Sequence, residues 1–267
     1  METRTYYPTI VLSDIHMGSG HSHTEEVTFF LKHVDCDRLI LNGDIIDGWQ
    51  LQKLGKKWET KHTDFFKVLM KMMENRGTEI IYVRGNHDDF LDRVAPLCIY
   101  NVSIVTNYQF QSHGKKYYVT HGDIFDTITT NMRWLAKLGD VGYTLLLWLN
   151  RIYNKRRAKL GKPYYSLSQK VKSKVKSAVS YMSDFEKELV ALAESKKADA
   201  IICGHIHQAA DKWYGDIRYL NSGDWVESLT ALVEDKNGEW KIITYEAWLK
   251  ELEKYSLKRK VLYPEAV

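Results

Sequence analysis

Five short motifs run in order along the chain: Asp14-Ile15-His16, Gly43-Asp44, Gly85-Asn86-His87-Asp88, His121-Gly122-Asp123 and Gly204-His205-Ile206-His207. Their carboxylate, imidazole and carboxamide groups are hard-to-borderline donors, a set that suits Mn, Fe or Zn. No cysteine is among them, which argues against a structural zinc site. A carboxylate can bridge two ions, and Asp44 is the candidate bridge. Two ions ~3.5–4 Å apart can activate water and clamp the attacking and leaving oxygens of a displacement at phosphorus. The neutral Asn86 offers a carbonyl oxygen without adding negative charge where an anionic substrate must approach. Taken singly, the first tripeptide is common, Gly43-Asp44 is a turn and His121 a core histidine. All five in order, each in the same structural context, point to a dinuclear site. Asp88 and His113 fill no ligand position and read as polar surface residues.

That context is the end of a strand. Thr9–Ser13, Arg38–Asn42, Glu79–Arg84, Tyr117–Thr120 and Ala200–Cys203 are β-prone runs directly preceding the motifs. In open α/β sheets, ligands gather at the carboxyl ends of the strands. Between the first three runs, Val27, Phe30, Leu31 and Val34 repeat with helical period behind a Ser22/Glu25 capping pair. Phe66, Leu69, Met70 and Met73 mark a second helix closed by Gly77. This βαβαβ order predicts a parallel sheet. Ser103–Val105, Tyr108–Gln111, Ile217–Leu220, Leu229–Glu234 and Trp240–Tyr245 add strands, the last two joined by an Asn237-Gly238 hairpin signal. A helix is expected from about Glu246. Asp126 to about Lys197 reads almost wholly helical. The expected class is α/β: two packed, mixed sheets with helices outside and a helical insertion from about Thr127 to Asp184.

Composition is compatible with one large domain of 267 residues, 44% of them hydrophobic. Cys36, Cys98 and Cys203 show no metal-type spacing and read as buried thiols in a reducing compartment. Met1-Glu2-Thr3-Arg4-Thr5 has no apolar core of a signal peptide, and the stretch Val141–Leu149 is too short to span a bilayer. A cytoplasmic chain is expected. The net charge of +4 is uneven: Arg151–Lys176 holds ten Lys/Arg and no Asp/Glu, leaving 28 basic and 34 acidic residues elsewhere. Beside that segment lie Trp134, Leu135, Leu138, Leu145–Leu149 and Ile152. Basic residues next to Trp and Leu suit an anionic lipid surface; a solvated helix face, or helices packed on each other, would have the same composition.

The five motifs resemble those of the calcineurin-like metallophosphoesterase superfamily, D-x-H, G-D-x-x-D, G-N-H-[DE], H and G-H-x-H, over nearly the whole chain. The resemblance implies a four-layer αββα sandwich over residues 1–267, with a helical lid at about 127–184. It implies that Asp14, His16 and His207 hold one metal, that Asn86, His121 and His205 hold a second, and that Asp44 bridges them. His87 would protonate or stabilise the leaving oxygen, Asp47 would orient His87, and a metal-bridging hydroxide would attack phosphorus. Asn221-Ser222-Gly223-Asp224-Trp225-Val226-Glu227-Ser228, the His121 block and the insertion look like the UDP-2,3-diacylglucosamine hydrolase branch. Those enzymes cleave a lipid-linked pyrophosphate in lipid A synthesis, use Mn, and sit on the inner face of the inner membrane. Well-known members of that branch carry Arg where this chain has His87. Substrate contacts implied are Asn86, His87 and, by its place in the second lid helix, Lys176. The expected cofactor is two divalent ions, Mn ahead of Fe or Zn. The expected partners are a lipid-linked phosphoester and an anionic membrane surface, ahead of nucleic acid. The rival readings are a nuclease or nucleotide phosphodiesterase of the same superfamily and a non-catalytic scaffold with this fold.

Overall fold

The computed structural model describes residues 4–53, 58–124, 157 and 182–262, with side chains to 254. The chain divides into two compact units, Met1–Asp123 with Leu189–Val267, and Ile124–Glu188. In the second unit the described residues are Ile124, Arg157 and 182–188, the last stretch helical. Most of the region expected to be helical between Asp126 and Lys197, and Lys176 within it, lies outside the described residues. Among the described residues no helix is long and apolar enough to cross a membrane.

The first unit contains two mixed sheets. In chain order its elements begin β1 (Thr5–Leu12), α1 (Thr24–His33), β2 (Val34–Asn42), α2 (Gly48–Leu51), α3 (Thr60–Arg76) and β3 (Glu79–Val83). After a 3-10 turn at Asp89–Arg93 come β4 (Leu97–Ile99), β5 (Val102–Val105), β6 (Tyr108–Ser112) and β7 (Lys115–Val119). The helix over 189–195 leads into β8 (Ala200–Cys203). Then follow β9 (Ala210–Tyr214), β10 (Ile217–Asn221), β11 (Thr230–Glu234), β12 (Trp240–Thr244) and the C-terminal helix Tyr245–Leu262.

The seven-stranded sheet has the order β12-β11-β1-β2-β3-β5-β4, and the five-stranded sheet β6-β7-β8-β10-β9. β1, β2, β3 and β5 are parallel neighbours, as are β7, β8 and β10. Strands buried on both faces carry apolar residues at successive positions, and the pleat sends them to different cores. Ile10, Leu12, Leu39, Leu41, Ile80 and Tyr82 pack toward α1, α3 and Trp248 of the C-terminal helix. Val11, Ile40, Ile81 and Val83 turn the other way and meet Val119, Ala200, Ile202 and Leu220 of the second sheet. On the far face of that sheet Tyr118, Ile201 and Tyr219 are buried, as are Leu189, Val190 and Ala193 of the helix entering β8. Lys196 Nζ lies 5.9 Å from the Tyr118 ring centroid. The result is the two mixed sheets with outer helices that the sequence predicts.

Several local expectations are corrected. α1 starts at Thr24, its N-cap is His23, and no side chain caps it. Ser22 lies one residue too early, and its hydroxyl pairs with Thr24 Oγ1 at 2.8 Å instead of a backbone N–H. The buried stripe of α3 is His62, Phe65, Val68, Leu69 and Met72, so Met70 points outward. Phe66 and Met73 only flank the core. Gly77 does close α3, in the left-handed conformation, donating to Met73 O and leaving Thr78 to donate to Met72 O. Cys36 and Cys203 are buried, but Cys98 is exposed on the edge strand β4.

Candidate metal centre

The carboxyl ends of β1, β2 and β3 in one sheet and of β7, β8 and β10 in the other supply the site. Asp14 and His16 follow β1, Asp44 follows β2, and Asn86 and His87 follow β3. His121 follows β7, His205 and His207 follow β8, and Asp224 follows β10. The loops are tied across the sheet: His16 N–H donates to Asp44 O at 2.8 Å, Gly204 N–H to His121 O at 3.0 Å, and Trp225 N–H to Asp14 O at 3.1 Å.

The backbone of these loops is strained where the donors sit. Nine non-glycine residues among the described ones have positive φ, and five are Asp14, His16, Asp44, His205 and His207, at 52° to 70°. The left-handed region costs an L-residue roughly 1–2 kcal/mol, and such strain clusters at functional sites. Motif glycines admit the neighbouring ligands. A Cβ on Gly85 would strike the Asp44 carboxylate, and one on Gly204 would lie 2.6 Å from Asp14 Oδ2.

Asp14 and Asp44 are wired alike. Asp14 Oδ2 accepts the His205 N–H at 3.0 Å, and Asp44 Oδ1 accepts the His87 N–H at 2.8 Å. Their other oxygens, Asp14 Oδ1 and Asp44 Oδ2, are buried without a hydrogen-bond donor, and so is Asn86 Oδ1. A buried acceptor left unpaired costs about 1–3 kcal/mol, more when charged. A cation is the natural partner for three such atoms.

Histidine nitrogens stand beside the two aspartates in two groups whose donor atoms lie within 4.8 Å of one another: Asp14, His16 and His207, and Asp44, His121 and His205. In the first, His207 Nε2 is 3.3 Å from Asp14 Oδ1 and 3.3 Å from His16 Nε2. In the second, His121 Nε2 is 3.4 Å from Asp44 Oδ2 and 3.3 Å from His205 Nδ1. Donors about 2.1 Å from a common ion stand roughly 3.0–3.5 Å apart, so these spacings fit co-ligands. Asp44 Oδ2 also lies 3.6 Å from His16 Nε2 and therefore faces both groups. His16, Asp44 and His87 form a third group within the same limit.

The far ring nitrogens are held from behind, the usual way an imidazole ligand is fixed. His121 Nδ1 donates to Asn42 O at 2.9 Å, leaving Nε2 for the centre. Asp47, the N-cap of α2, has Oδ1 at 3.0 Å from His87 Nδ1 and Oδ2 at 3.6 Å from His16 Nδ1. The expected Asp47–His87 pair is formed, and the contact to His16 is additional. His87 Nε2 then faces Asp44 Oδ2 at 4.0 Å. Asp224 Oδ2 stands 3.9 Å from His207 Nδ1.

Electrostatics follow from this crowding. Burial works against the Asp44 carboxylate, yet His121, His16 and His87 hold it well below the usual range. Asp47 is likewise pulled down, against burial, by its bonds to His16 and His87. Burial would lower His121, but Asp44 outweighs it and pushes the imidazole up to about 10. His16 is raised, against burial, by Asp47, Asp44 and Asp14. Without a cation, a proton on His121 offsets the charge of Asp44. A divalent ion would take its place.

Three residues escaped the sequence reading. Asp88, expected at the surface, is fully buried and accepts from Ile45 N–H at 3.0 Å, Tyr82 Oη at 2.7 Å and Gly85 N–H. It joins the loop of Asp44 to that of Asn86, and its raised pKa comes from burial and from Asp44. The fourth position of Gly85-Asn86-His87-Asp88 was itself the signal. His113 is exposed, as expected. Asp224 is marked in the sequence only by its place within Asn221–Ser228. Trp49 had no signal beyond its place two residues after Asp47, and its ring lies 4.2 Å from that of His87.

Structures similar to this chain include a phosphoesterase from E. coli, YfcE, at 15% identity and TM-score 0.40, covering 89% of this chain and 98% of that one. An archaeal phosphodiesterase is also 15% identical, with TM-score 0.40 and coverage of 88% and 98%. Vps29 of Chaetomium thermophilum is 9% identical, with TM-score 0.45 and coverage of 90% and 94%. No curated protein sequence matches. The calcineurin-like phosphoesterase family profile matches residues 7–209, most of the chain and every motif but the segment after β10, and the chain belongs to that family.

Proposed function

We propose that this chain is a hydrolase of phosphoesters working at two divalent cations, one held by Asp14, His16 and His207, the other by Asn86, His121 and His205, with Asp44 shared. The observation that carries the reading is the pair of buried oxygens without donors, Asp14 Oδ1 and Asp44 Oδ2, standing among imidazole nitrogens at co-ligand spacing, with Asn86 Oδ1 also buried without a donor. Cations bound there would supply an activated water and neutralise charge on the phosphoryl oxygens.

The chain's own residues supply the rest. His87 points Nε2 into the centre while Asp47 holds Nδ1, so a proton on Nε2 is aimed at the leaving oxygen. Asn86 presents a neutral carbonyl and leaves room, in charge terms, for an anionic substrate. A scaffold role would not require the full donor set to be present and oriented.

For the substrate, we propose a lipid-linked phosphodiester or pyrophosphate, UDP-2,3-diacylglucosamine foremost, with manganese as the metal. The support is the Asn221–Ser228 segment and the basic, Trp- and Leu-rich composition of 134–176. The test is a product assay with manganese on UDP-2,3-diacylglucosamine beside bis-p-nitrophenyl phosphate. Release of UMP from the first at the higher kcat/KM supports the full reading. Turnover of the second alone keeps the phosphoesterase and removes the lipid substrate.

A further inference from the structure

Trp49 occupies a place that single exposed aromatics do not. Asp47 caps α2 by accepting the Gln50 N–H at 3.0 Å, with the same Oδ1 that faces His87 Nδ1. Gly48 N–H donates to His87 O at 2.9 Å, and a Cβ at Gly48 would lie 2.9 Å from that carbonyl. Glycine thus lets α2 approach His87 as closely as the backbone can. The indole and imidazole centroids are 4.2 Å apart at 36°, yet Trp49 keeps 46% of its surface exposed.

Isolated exposed apolar residues need no functional account, so the comparison with other exposed tryptophans decides. Trp213 has Lys115 and Arg218 over its ring. Trp58 donates to Thr63 Oγ1 and stacks on Phe66. Trp49 instead lies on the imidazole that faces the candidate phosphoryl centre. A general acid must come within ~2.6–3.2 Å of the oxygen it protonates. The group carried by that oxygen then starts beside the His87 ring, and the surface next to His87 is the indole. Aromatic rings pack at centroid separations of ~4.5–7 Å, and the indole already stands 4.2 Å from the imidazole.

We propose that Trp49 is a specificity-determining residue that packs against a ring in the leaving group, so that the preferred phosphoesters have a sugar, nucleoside or aryl group on that side. The proposal rests on the phosphoesterase reading above and on His87 as its acid.

The test uses two non-hydrolysable phosphonates, benzylphosphonate and pentylphosphonate, titrated calorimetrically into the manganese-loaded full chain. Wild type is expected to bind the benzyl compound about 2- to 10-fold more tightly, the increment of an aromatic contact. Trp49→Ala should bring the two affinities together, and Trp49→Phe should keep most of the preference. A merely structural indole would change both affinities in proportion and leave their ratio alone. A ratio indifferent to Trp49→Ala, or no preference in wild type, overturns the proposal while the phosphoesterase reading stands. Failure to bind either phosphonate removes that reading and the proposal with it.

Discussion

The carboxylate of Asp47 sits 3.0 Å from His87 Nδ1 and leaves the opposite nitrogen of that ring turned toward Asp44. If His87 is an acid and not a ligand, His87→Ala should retain both metals and lose about 10²–10⁴ in kcat. Asp47→Ala should lose about 10–100-fold, and the double variant should be little worse than His87→Ala alone. Metal analysis beside steady-state kinetics checks this. Loss of one metal equivalent in His87→Ala would place His87 in the ligand group with His16 and Asp44.

Asp44 faces both donor groups through one oxygen. Asp44→Ala should therefore abolish binding at both positions and all metal-dependent turnover. Asp14→Ala should strip only the site shared with His16 and His207. Retention of two equivalents by Asp44→Ala, measured by elemental analysis after dialysis, would exclude the bridge.

Metal affinity should rise with pH. His121, raised to about 10, carries a proton that a cation must displace. At pH 7 binding should release at least one proton, seen as a dependence of binding enthalpy on buffer ionisation. Each displaced proton should cost up to about tenfold in affinity per pH unit of acidification. Stability without a cation should move oppositely. The contribution of His121 is fully present below the ordinary histidine value of 6.5 and is lost as pH rises through about 10.

Asp88→Ala leaves the Ile45 and Gly85 N–H groups and the Tyr82 hydroxyl without their acceptor. At about 1–3 kcal/mol for each buried donor, less the relief of repulsion with Asp44, a net loss of roughly 2–4 kcal/mol is expected. Tyr82→Phe should cost about 1 kcal/mol. Urea unfolding measures both. A change within 0.5 kcal/mol, usual for surface sites, would return Asp88 to the surface role its sequence suggested.

Much of this was legible in the chain because its signals are local. Val11, Ile40 and Ile81 belong to short β-branched runs, and each run ends where a motif begins. Strands β4 and β9 were not legible. β9 pairs through backbone groups with β10 while its Asp211, Lys212 and Trp213 side chains stay exposed, so no hydrophobic alternation marks it. The buried stripe of α3 lies one residue from the one its periodicity predicts, because Met70 and Met73 are as apolar as Phe65 and Met72. Only the sheet beneath decides which row is covered.

The sequence by itself determined the donor types, their order, and their place at the ends of parallel strands. Residue type and strand propensity are properties of the local chain. The fold alone decided which oxygen of Asp14 and Asp44 is left for a cation, which nitrogen of each imidazole faces inward, that Asp47 reaches His16 as well as His87, and that Asp88 is buried. Those facts depend on loops from two sheets meeting at one edge, with donors far apart in sequence satisfied by each other's backbone. No pattern along a single strand encodes that meeting.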